Sequence, residues 1–156
     1  MLTLLHQSND GEDGSSARRQ ATGVKPLVLV AEDHEDTRFM LRYLLEMWGC
    51  RVVLAEDGEM AVCAAEEMLP QLILIDASLP RLDGLEATRR IRKHAALMHV
   101  PIVFLSGHAQ ESFRLLALGT GVNDYLIKPF ELAQLERILN KHLPAERNRK
   151  GDHRDI

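Results

Sequence analysis

The chain has 156 residues, of which 46% are hydrophobic and 27% charged, and its net charge is −4. That length suits one domain with a proper core, and the composition is that of an ordinary globular protein. Its mild acidity gives no footprint for nucleic acid or for an anionic membrane surface, so neither is expected as a partner.

The opening "MLTLLHQSND" has no basic segment, and its apolar stretch is too short for a signal peptide or a membrane span. A cytoplasmic protein is therefore expected. Residues 1–24 include "SNDGEDGSSARRQATG", without a periodic apolar face, and read as a disordered leader. A first apolar strand is expected at Leu27 to Ala31. Met40, Tyr43, Leu44 and Met47 then fall at i, i+3, i+4 and i+7, which predicts a helix burying that face. Trp48 precedes Gly49, a helix-stop residue, and reads as packing.

A second strand is expected at Val52 to Ala55 and a second helix on Ala61, Ala64, Ala65 and Met68. Leu72 to Ile75 form an unbroken apolar run, as suits a strand buried on both faces, and the run stops at Asp76. After the turn residues Asp83 and Gly84, Ala87 and Ile91 mark a third helix. A strand at Ile102 to Leu105 and a helix on Phe113, Leu116 and Ala117 follow, with Gly119 and Gly121 suited to a left-handed stop. The last pair is a strand at Tyr125 to Ile127 and a helix on Leu132, Leu135 and Leu139. Residues 144–156, from Pro144 onward, read as a polar, mixed-charge tail. Cys50 and Cys63 lie in apolar surroundings and are expected as buried, reduced thiols.

Five strands alternating with five helices imply a parallel sheet covered on both faces. Right-handed crossovers bring every strand's C-terminal end to one edge, where open α/β sheets keep their ligand crevice. At that edge the sequence places Glu32 and Asp33 after the first strand, Asp76 after the third, Ser106 after the fourth and Lys128 after the fifth. Three clustered carboxylates repel one another unless countercharge is present. Lys128 supplies one positive charge, and a hard divalent cation such as Mg²⁺, which prefers oxygen ligands, supplies two more. An ionised Asp beside such a cation, a lysine and a hydroxyl has the parts for phosphoryl transfer, the carboxylate oxygen attacking phosphorus. The first strand is followed by neither G-x-G-x-x-G nor G-x-x-x-x-G-K-[ST], so no dinucleotide or P-loop nucleotide site is signalled.

The segments "LVLVAED", "LILIDASLPRLDGLEATRRIR", "PIVFLSGHA" and "GVNDYLIKPF", in order and at matching spacing, resemble the receiver domain of two-component response regulators. The likeness covers residues 26–143, nearly the whole of a domain expected at 25–143. It implies a flavodoxin-like, doubly wound sheet of five parallel strands in the order 2-1-3-4-5 with five helices. It further implies that Asp76 is the phosphoacceptor, fed by a phosphohistidine on a sensor histidine kinase or a histidine phosphotransfer protein. Glu32, Asp33, Asp76 and the backbone carbonyl of Ser78 match the Mg²⁺ ligands, and Glu32 replaces the more frequent Asp. Lys128 matches the family's lysine, and its bond to Pro129 the family's cis peptide. Ser106 and Tyr125 match the pair that couples phosphorylation to shape, read out on the face of the fourth helix, fifth strand and fifth helix. Ser78 and His108 hold positions that tune the lifetime of the phosphoryl group.

The resulting expectation is a stand-alone receiver that acts by binding a downstream protein target rather than by turnover, and whose output face offers a surface for pairing two copies. A haloacid-dehalogenase-like phosphatase also uses a strand-end Asp with Mg²⁺, but that family places a second Asp two residues later, where this chain has Ser78. A degenerate receiver acting as a scaffold is the remaining alternative, and the full set of site residues weighs against it. His34 and His108 are read as residues at the rim of the crevice, not as metal ligands.

Overall fold

The structure is a computed structural model describing residues 23–144, so the expected leader and tail fall almost wholly outside the described residues. Five strands are present: β1 (Leu27–Ala31), β2 (Arg51–Ala55), β3 (Leu72–Asp76), β4 (Ile102–Ser106) and β5 (Asp124–Ile127). Between and after them run α1 (Glu35–Met47), α2 (Gly58–Met68), α3 (Gly84–Lys93), α4 (Glu111–Gly119) and α5 (Leu132–His142). The strands pair in parallel in the order β2-β1-β3-β4-β5, the flavodoxin-like arrangement. Register puts Ala31 beside Ile75 and Asp76 beside Leu105. The C-terminal ends of β1, β3 and β4 therefore lie side by side at one edge, each strand running one residue further than the last.

β1, β3 and β4 are buried along their whole length because helices cover both faces, which is why they read as apolar runs up to Asp76 and Ser106. Alternate side chains feed two cores. Leu29, Ile73, Ile75 and Phe104 pack with Ala61, Ala65, Ala87 and Ile91 of α2 and α3. Val28, Val30, Leu74 and Val103 pack with Leu41 and Leu45 of α1 and with Leu135 and Leu139 of α5. Each fully buried Val, Leu, Ile or Phe among them contributes about 1.5–3 kcal/mol. The Asp57 carboxylate caps α2 by accepting from the Met60 N–H at 2.8 Å, and Asp83 caps α3 by accepting from the Glu86 N–H at 2.9 Å.

Several expectations about faces and stops are corrected. In α1 the Met40, Tyr43 and Met47 row is turned to solvent, with Tyr43 65% exposed. The neighbouring row Leu41, Leu44, Leu45 and Trp48 has the same spacing and meets the sheet instead, Leu41 and Leu45 fully buried. Leu116, Met68 and Leu132 are likewise exposed. Cys50 is buried, but Cys63 is exposed, because Ala61 and Ala65 take the inward positions of α2. Gly119 lies inside α4; the left-handed turn after that helix is taken by Gly121 alone, at φ +101°. Leu69 ends α2 in the left-handed region at φ +48°, a position usually given to glycine. A short 3₁₀ turn at Ala95–Leu97, not foreseen, leads from α3 toward β4. Among the described residues no helix is long and apolar enough to cross a membrane.

The start of β5 is fastened to the end of α5. Asp124 accepts from Lys141 Nζ at 3.0 Å and lies 2.5 Å from His142 Nε2. Burial alone raises the Asp124 pKa, but the hydrogen bonds and charges of His142 and Lys141 outweigh it and hold the group below 3.8. A carboxyl depressed on folding adds stability above its unfolded pKa and loses it as pH falls through the folded one. Asp124→Asn should therefore cost about 0.5–1 kcal/mol in urea denaturation at pH 7, given how exposed Lys141 is. That difference should close as pH drops below 3.8.

Candidate functional site

The acids expected at the sheet edge do converge. Glu32 follows β1, and its N–H extends the β1–β2 ladder by donating to the Ala55 carbonyl at 3.0 Å. Its side chain is thereby held inside, and the residue is only 1% exposed. Asp33 comes next, in the turn before α1, and is exposed. Asp76 closes β3 and is 8% exposed. One oxygen from each of the three carboxylates lies within 4.8 Å of the others.

Lys128, just past β5, is anchored by its N–H to the Ser106 carbonyl at 2.8 Å. Its Nζ reaches Glu32 Oε2 at 2.6 Å and Asp76 Oδ2 at 2.5 Å. The Lys128–Pro129 bond is cis. The other Asp76 oxygen, Oδ1, accepts from the Ser78 N–H at 2.7 Å, and Glu32 Oε1 accepts from the His34 N–H at 3.2 Å. Gly84 makes the turn after Asp76 close: a Cβ there would stand 2.4 Å from the Asp76 carbonyl oxygen. Only glycine lets the start of α3 approach the strand end so nearly.

The electrostatics follow from the crowding. Burial pushes the Glu32 carboxyl up from 4.5, and Asp76 beside it pushes the same way, against the pull of Lys128. Burial works to lower Lys128, but its bonds and charge attraction to Asp76 and Glu32 prevail and raise it above 10.5. A lysine raised on folding stabilises the fold below its unfolded pKa, so at neutral pH this countercharge is fully in place.

Ser106 is buried, and its Oγ accepts from the His108 N–H at 3.0 Å. The Tyr125 hydroxyl donates to the His108 carbonyl at 2.6 Å, and its ring sits edge-on to Phe113 at 6.2 Å. Ser106 and Tyr125 are thus joined through the backbone of one residue in the β4–α4 loop. Among the described residues, the groups of His, Cys, Asp and Glu that are close enough to hold a metal ion comprise these three acids alone, without His34 or His108.

Sequence reasoning passed over Arg38. It is 7% exposed, and its Nη1 donates to the Glu32 carbonyl at 3.0 Å and the Asp33 carbonyl at 3.4 Å. Its Nη2 pairs with Glu56 Oε1 at 3.4 Å. The available signal was a cation in register with Leu41 and Leu45, on the apolar face of α1.

Comparison with known proteins agrees with this geometry. The family model for the response regulator receiver domain matches residues 28–140. The phosphate regulon transcriptional regulatory protein PhoB of Rhizobium meliloti is 37% identical over 70% of this chain and 48% of its own length. The chain thus spans about half the length of that regulator. Among solved structures, the receiver domain of a sensor histidine kinase from Pseudomonas aeruginosa is 39% identical, with a TM-score of 0.71 over 76% of this chain and 98% of that one. It was crystallised with a magnesium ion coordinated in its active site cleft. The chemotaxis protein CheY4 of Vibrio cholerae is 25% identical, with a TM-score of 0.73 over 77% of this chain and all of that one. With the sheet order, the acid cluster and the matched span in agreement, this chain belongs to the response regulator receiver domain family of two-component signalling.

Proposed function

We propose that Asp76 accepts a phosphoryl group from a phosphohistidine on a sensor histidine kinase or histidine phosphotransfer protein, and that the modified domain engages a protein target. The observation carrying this reading is the bridging of Asp76 and Glu32 by Lys128 Nζ, with the second Asp76 oxygen held by the Ser78 N–H. An Asp76 oxygen attacks phosphorus, the phosphorus–nitrogen bond breaks, and its electron pair returns to the partner's imidazole. Lys128 then offsets negative charge on the phosphoryl oxygens.

Three carboxylates with oxygens this close fit a hard cation's preference for oxygen donors. Glu32, Asp33, Asp76 and the Ser78 carbonyl would hold Mg²⁺, which when bound supplies positive charge facing the phosphoryl oxygens. Ser106 donates its hydroxyl to one of those oxygens. The same Oγ accepts from His108, whose carbonyl holds Tyr125, so a shift of Ser106 loosens the loop to which Tyr125 is tied. This biases a bistable element toward its second arrangement. The α4-β5-α5 face is the readout surface, and its exposed Leu115, Leu116, Ile127 and Leu132 give a partner apolar area to cover.

Incubation with a small-molecule phosphodonor and Mg²⁺ should add the mass of one phosphoryl group to the peptide carrying Asp76. Sustained release of phosphate from simple esters, without that adduct, would instead favour a hydrolytic enzyme.

A further inference from the structure

We propose that Arg38 is the positioning residue of the acid cluster, fixing the β1–α1 turn so that Glu32 and Asp33 face a cation at the right spacing. The inference rests on the phosphoryl-site reading above. Two consecutive carbonyls converge on this one residue's guanidinium. Its side chain donates to Glu32 and Asp33, and its own N–H donates to His34 at 2.9 Å. The Glu32 and Asp33 carbonyls are therefore committed to the buried guanidinium, while the His34 carbonyl accepts the first backbone hydrogen bond of α1.

This matters because the turn carries two of the three acids and is only three residues long between β1 and α1. Left free, adjacent carboxylates beside Asp76 separate under their mutual repulsion. Mg²⁺ demands near-ideal octahedral geometry, so acids held at their spacing beforehand bind it more tightly than acids that must be gathered. The rigid, always-charged fork of arginine suits this role, because it satisfies carbonyls on one nitrogen and a carboxylate on the other. Glu56, at the end of the fork, comes from the turn between β2 and α2, so Arg38 also ties two loops of the same edge together. A plain core role for the arginine's aliphatic stem makes a different forecast, because stem packing does not depend on the charged head.

The test compares wild type with Arg38→Met, Arg38→Lys and Glu56→Gln by calorimetric Mg²⁺ titration, by thermal melting, and by amide hydrogen exchange at residues 32–34 without metal. Outer partners of metal ligands are typically worth 10- to 100-fold in affinity, so Arg38→Met should bind Mg²⁺ about tenfold or more weakly. Its exchange at Glu32 and His34, the two turn amides that hold hydrogen bonds, should quicken, Arg38→Lys should recover part of both losses, and Glu56→Gln should change little. Arg38→Met with lowered melting but wild-type affinity and exchange would reduce Arg38 to packing and overturn the proposal. A wild type that ignores Mg²⁺ would sink the phosphoryl-site reading instead, and the exchange comparison would still decide for or against Arg38. If Arg38→Met fails to fold, Arg38→Lys carries the same comparison.

Discussion

Asp76→Asn should take up no phosphoryl group from a phosphohistidine partner or a small phosphodonor, yet should fold at least as stably as wild type in metal-free buffer. The first half follows from chemistry: an uncharged amide oxygen in the same place is too poor a nucleophile to attack phosphorus. The second half follows from the crowding of charge. Asp76 is one of the groups pushing the Glu32 carboxyl up, so its neutralisation lets Glu32 ionise more readily. Lys128 meanwhile keeps its 2.6 Å partner Glu32. Mg²⁺ affinity should fall about tenfold or more as an anionic ligand is lost. Intact-mass measurement after phosphodonor treatment, with urea denaturation alongside, checks both halves. Labelling equal to wild type would place the acceptor elsewhere; a large drop in metal-free stability would mean that the Lys128–Asp76 pair outweighs the repulsion.

Gly58→Ala should be the most damaging single methyl addition on the sheet edge. A Cβ on Gly58 would stand 1.8 Å from the Leu82 carbonyl oxygen, and backbone cannot yield as a flexible side chain does. The Gly58 N–H also meets the Pro80 carbonyl at 3.4 Å, so α2 begins directly against the β3–α3 loop. Forcing the two apart should cost about 3 kcal/mol and should displace the loop that carries Ser78. Gly119→Ala is the matched control. It sits in α4 with open space where the methyl would go, and should gain about 0.5 kcal/mol from restricting the unfolded chain. Denaturation midpoints of the two variants, read side by side, test the steric account: similar shifts would refute it.

The strands were readable because β1, β3 and β4 are walled in on both faces and are apolar until their last residues. A polar residue that ends such a run then stands out, as Asp76 and Ser106 do, whereas Lys128 follows the shorter, partly exposed apolar run of β5. The face of α1 was not readable. Met40, Tyr43, Leu44 and Met47 satisfy the helical spacing as well as Leu41, Leu44, Leu45 and Trp48 do, and only packing against Val28 and Val30 chooses between them. Arg38 escaped for a related reason, since its partners are main-chain carbonyls that carry no residue-specific mark in a sequence. Leu69 holds a glycine's backbone role at the end of α2, which no residue type in the sequence announced, while Pro70 after it marks the helix stop.

Glu32 and Lys128 touch across 96 positions of sequence, with Asp76 between them. A polypeptide still emerging from the ribosome owns Glu32, Asp33 and Asp76 long before the closing lysine arrives. Until then the anions lack their built-in neutraliser and the last pleat of the sheet. A form ending before Lys128 should therefore lack the cation that bridges Glu32 and Asp76.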